Sequence, residues 1–125
     1  MGTPQPSPRP VKTSLRVTLG QHSRPGRKGN NQDFHGAMLP QEPQRSTKGI
    51  AVALADGIGS SAVSQEASAA SVRGFLDDYY ATSEAWSVRR SAQRVLDATN
   101  AWLHAQTMRS HARFDKDRGY VCTFS

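Results

Sequence analysis

Residues 50–55 read Ile-Ala-Val-Ala-Leu-Ala, an unbroken apolar run closed by Asp56 and Gly57. A membrane span needs about 18 or more apolar residues, so this run is too short to be one. A short, fully apolar run suits a central strand buried on both faces. The remaining elements of the 125 residues must be arranged around it, and that length allows at most one domain.

The segments on either side supply strands and helices. "SLRVTLGQ" alternates Leu15, Val17 and Leu19 inward with Arg16 and Thr18 outward, which predicts a half-buried strand. "HSRPGRKGN" reads as a loop, "DFHGAML" as a second strand ended by Pro40, and "PQEPQRSTKG" as an exposed turn. After Ser60 and Ser61, either of which can cap a first turn, Ala69, Val72, Phe75, Leu76 and Tyr79 fall on one face of a helix. A second helix follows, with Val88, Ala92, Val95, Leu96, Thr99, Trp102, Leu103 and Gln106 at 3–4 spacing. Its other face carries Arg89, Arg90, Arg94 and Asp97 as solvated surface, and "YVCTFS" begins a last strand. Three strands, two helices and a returning strand predict an α+β layered domain over residues 14–125. Residues 1–13, with four prolines and no periodicity, read as a disordered tail.

The net charge of +6 is unevenly placed. Residues 1–50 hold eight Lys/Arg against two acids, and residues 51–125 hold eight against eight. The excess is mixed with Pro, Gly and Ser rather than interleaved with aromatics, so it reads as a solvated tail and loops, not a nucleic-acid face. The single cysteine, Cys122, leaves no internal disulfide and no zinc spacing, and reads as a small buried strand residue. No signal-peptide core or membrane segment is present in the sequence, and a cytoplasmic location is expected. His22, His35, His104 and His111 match no metal spacing.

"ADGIGSSA" admits three readings. Gly57-x-Gly59-x-x-Ala62 after a strand matches a dinucleotide fingerprint, with Asp77 twenty residues on. However, Asp56 would repel the pyrophosphate, and Asp77 falls inside the first helix rather than at a strand end. Asp-Gly is also an ordinary turn, with the glycine at positive φ. The third reading joins Asp56 to Asp33 of "NNQDFHG", two carboxylates at the ends of two core strands. A hard divalent cation takes such carboxylates together with carbonyl oxygens, and glycine allows close backbone approach.

Together, "RKGNNQDFHG" and "ADGIGSSAVS", followed by two long helices and a returning strand, resemble the metal-dependent protein phosphatases of the 2C type, from about Leu15 to Ser125. The resemblance implies the N-terminal portion of a four-layer α-β-β-α sandwich that binds two Mn²⁺ or Mg²⁺ ions. It also implies hydrolysis of phosphoserine and phosphothreonine in a phosphorylated protein substrate by a metal-activated water. By the same resemblance Asp56 is the aspartate shared by both metals, Gly57 lends its carbonyl, and Asp33 binds a metal or holds its waters. Gln32 stands where some members carry Glu. Where the family has a phosphate-binding arginine this chain has Lys28, with Arg27 beside it, and either takes that role. The second helix and "DKDRGYVCTFS" resemble bacterial members joined to a protein kinase domain. The remaining metal aspartates are expected beyond Ser125, so residues 14–125 read as the first part of a longer phosphatase domain, inactive alone. The alternative is a phosphatase-like binding module without turnover.

Overall fold

The computed structural model describes residues 2–4, 16–26, 31–58, 62–109 and 119–125. Among them are strand β1 (Asp33–Met38), a short helix α1 (Gln44–Lys48), strand β2 (Ala51–Gly57), helices α2 (Ala62–Ala81) and α3 (Val88–Arg109), and strand β3 (Cys122–Phe124). The three strands form one antiparallel sheet in the order β1-β2-β3. Mixed helix and strand with an antiparallel sheet is the α+β class expected from the sequence.

Helix α2 covers one face of the sheet and α3 packs on α2. The core joins Ala53 and Ala55 of β2 to Val72, Phe75, Leu76, Tyr79 and Tyr80 of α2 and Val95 of α3. Small residues set the spacing. A β-carbon on Gly36 would stand 3.0 Å from Leu76 Cδ1 and 3.1 Å from Val72 Cγ1. The N-terminal half of α2 buries Ser64, Ala67, Ser68 and Ser71. Ser68 and Ser71 satisfy their hydroxyls by donating to the carbonyls of Ser64 and Ala67, one turn back.

Several expectations are corrected. Residues 16–21 form no strand. Leu19 stays exposed and lines an open cavity of about 510 Å³ together with Val52 and Leu54. β2 is central, but only Ala53, Ala55 and Gly57 are buried. Val52 and Leu54 on the opposite face are 60% and 53% exposed, because no described element covers them. On α3 the buried residues are Ser91 and Val95, while Val88, Leu96 and Trp102 are exposed, since among the described elements α2 supplies its main packing surface.

"PQEPQRSTKG" is not an exposed turn. It contains α1, whose Lys48 is buried at 3% exposure. Lys48 Nζ donates to Ser83 O and Trp86 O, each at 2.9 Å, and to Ser91 Oγ at 2.5 Å. Three donors meet three acceptors, and the ammonium pins the α2–α3 connection to the β1–β2 connection. Tyr79 and Tyr80 reinforce this end: their hydroxyls donate to Lys48 O at 2.7 Å and Gly49 O at 2.9 Å. Ser87 starts α3 by accepting from Arg90 N–H at 3.1 Å. The Pro-rich tail from residue 5 to 13, Ser14, Leu15, and the capping serines Ser60 and Ser61 lie outside the described residues.

Candidate metal centre

The register of β1 on β2 places Asp33 directly opposite Asp56. One step further, Gly57 N–H donates to Gln32 O at 3.1 Å, so the bonds alternate to leave Asp33 and Asp56 as a non-hydrogen-bonded pair. Such pairs are the closer kind, with Cα atoms about 4.5 Å apart. By the strand alternation both carboxylates belong to the face away from α2, and both are exposed. Thr123 of β3 lies across Asp56 on its other side. Like charges directly opposite weaken a sheet. A cation beside them offsets that repulsion.

Asp33 is held at the strand entrance by its own N–H, which donates to Asn31 Oδ1 at 3.1 Å. Asn31 Nδ2 in turn donates to Ser23 Oγ at 2.7 Å. A polar pocket of about 460 Å³ opens here, walled by Gln21, His22, Ser23, Asn31, Asp33 and His35 among others. His35 follows Asp33 by two residues and so shares its face, and its Nε2–H donates to the Gln21 side-chain oxygen. The strand alternation of "DFH" is the signal in the sequence that would have put His35 on this face.

Gly57 occupies β2, not a turn, and its φ is not in the left-handed region. What demands glycine there is α2: a β-carbon would stand 2.6 Å from Ser64 O and 2.8 Å from Ser64 C. The Ser64 hydroxyl also donates to Ile58 O, fastening the start of α2 to the end of β2. Gln32 is buried at 3% exposure, unlike the two exposed aspartates. Asp77 lies within α2, on no strand end, which removes the ribose ligand of the dinucleotide reading.

Arg27 and Lys28, the expected phosphate contacts, lie outside the described residues. Among the described guanidinium groups, that of Arg73 sits 4.8 Å from the centroid of the β1 residue Phe34. No group of three or more His, Cys, Asp or Glu able to hold a metal occurs among the described residues. Two facing carboxylates are oxygen donors of the kind a hard divalent cation takes, and are too few to hold one alone. Burial raises the phenols of Tyr79 and Tyr80, at the end of the sheet away from Asp33 and Asp56.

No protein-family model, curated protein or solved structure matches this chain. Among the described residues no helix is long and apolar enough to cross a membrane.

Proposed function

We propose that the chain is part of a metal-dependent protein serine/threonine phosphatase resembling the 2C type, working in the cytoplasm on phosphorylated proteins. The observation that carries this reading is the pairing of Asp33 with Asp56 across β1 and β2. Two motifs 23 residues apart meet there at one end of the sheet. The exposed Val52 and Leu54 support a further layer on the open face, as the four-layer α-β-β-α sandwich requires. A kinase domain in the same full-length chain belongs to this proposal.

Asp33 and Asp56 would hold the ions, with the Gly57 carbonyl beside them. When bound, Mn²⁺ or Mg²⁺ lowers the pKa of water and neutralises charge that develops on a phosphoryl group. The chain's own contribution is positional. Asn31 and Ser23 fix the entrance of β1, while Ser64 and Ile58 fix the exit of β2. Arg27 or Lys28 would take the phosphate, as a bidentate fork or a point charge respectively.

The test is Mn²⁺ binding by electron paramagnetic resonance in this chain, beside phosphothreonine-peptide hydrolysis by the full-length gene product. Weak binding that Asp56→Asn removes, together with metal-dependent turnover in the full-length protein, is the expected result. Unchanged Mn²⁺ binding and turnover in Asp56→Asn overturns the assignment. The presence of only two clustered carboxylates among the described residues favours, as a second reading, a phosphatase-like module that binds without turnover. Metal binding with no hydrolysis by the full-length protein would select it.

A further inference from the structure

No further inference is drawn: the strongest candidate, the surface patch that Arg89, Arg90 and Arg94 form on the exposed face of α3, holds Asp97 in the same pocket and Asp78 beside Arg94 in the neighbouring crevice, so its charge is mixed and nothing in the structure shows what covers it.

Discussion

A β-carbon placed on Gly57 would stand 2.6 Å from the carbonyl oxygen of Ser64, closer than β-carbons in folded chains approach other atoms. The end of β2 and the first turns of α2 are thus in backbone contact, and the helix cannot be lifted away without uncovering Ala53 and Ala55. Gly57→Ala should therefore destabilise the fold by about 1–3 kcal/mol, the range for overpacking a filled core. Gly74→Ala, with open space around it, should instead stabilise by about 0.5–1 kcal/mol through helix propensity. Urea unfolding of the two variants beside the parent checks both signs. A Gly57→Ala midpoint equal to the parent's would refute the close contact.

Lys48→Met keeps the aliphatic stem and removes the ammonium that bridges Ser83 O, Trp86 O and Ser91 Oγ. The loss strands acceptors in a buried site, and hydrogen bonds to charged groups contribute most when desolvated. A fall in stability of about 3 kcal/mol is expected. It should appear as a lower urea midpoint at unchanged slope. Amide exchange over 82–87 should accelerate more than over β2, since that connection loses its tether.

Asp56→Asn removes one of two facing carboxylates. In metal-free buffer its melting temperature should equal or exceed the parent's, because like charges across a strand pair oppose the sheet. Added Mn²⁺ should raise the melting temperature of the parent and leave the variant unmoved. A clear loss of stability without metal would show that Asp56 is held by attraction from other side chains more than it is strained by Asp33.

Alkaline pH tests the buried tyrosines. Burial raises both phenols above the ordinary value near 10, with the neighbouring Tyr79 adding to the effect on Tyr80 against a backbone hydrogen bond that lowers it. The folded state therefore keeps its protons when the unfolded state has begun to lose them. Their contribution is intact below about pH 10 and declines as pH rises above it. Phenolate absorption at 295 nm should lag in the native protein and appear together with the loss of helix. In Tyr79→Phe/Tyr80→Phe the unfolding pH should move upward relative to the neutral-pH stability of that variant.

Local pattern was enough for much of this protein. The alternation in "DFHGAM", the apolar run of β2, the returning strand at 122–124 and the 3–4 spacing of both long helices are properties of neighbouring residues, and each element forms. The two strand-end acids were legible for the same reason, since Asp33 opens and Asp56 closes its own apolar segment. What only the tertiary structure decided depends on partners far along the chain. The register that sets Asp33 against Asp56 is fixed by pairing between strands, and a one-residue slip would have turned one acid to the helix face. Lys48 is buried because its acceptors lie 35, 38 and 43 residues away, and nothing in "QRSTKG" announces them. Gly57 answers to Ser64 across a strand–helix contact, whereas by sequence alone Asp-Gly read as a turn and the resemblance implied a metal-site glycine. The open side of β2 has the same cause. Apolar composition says that Val52 and Leu54 can be buried, and only the placement of α2 on the other face leaves them exposed.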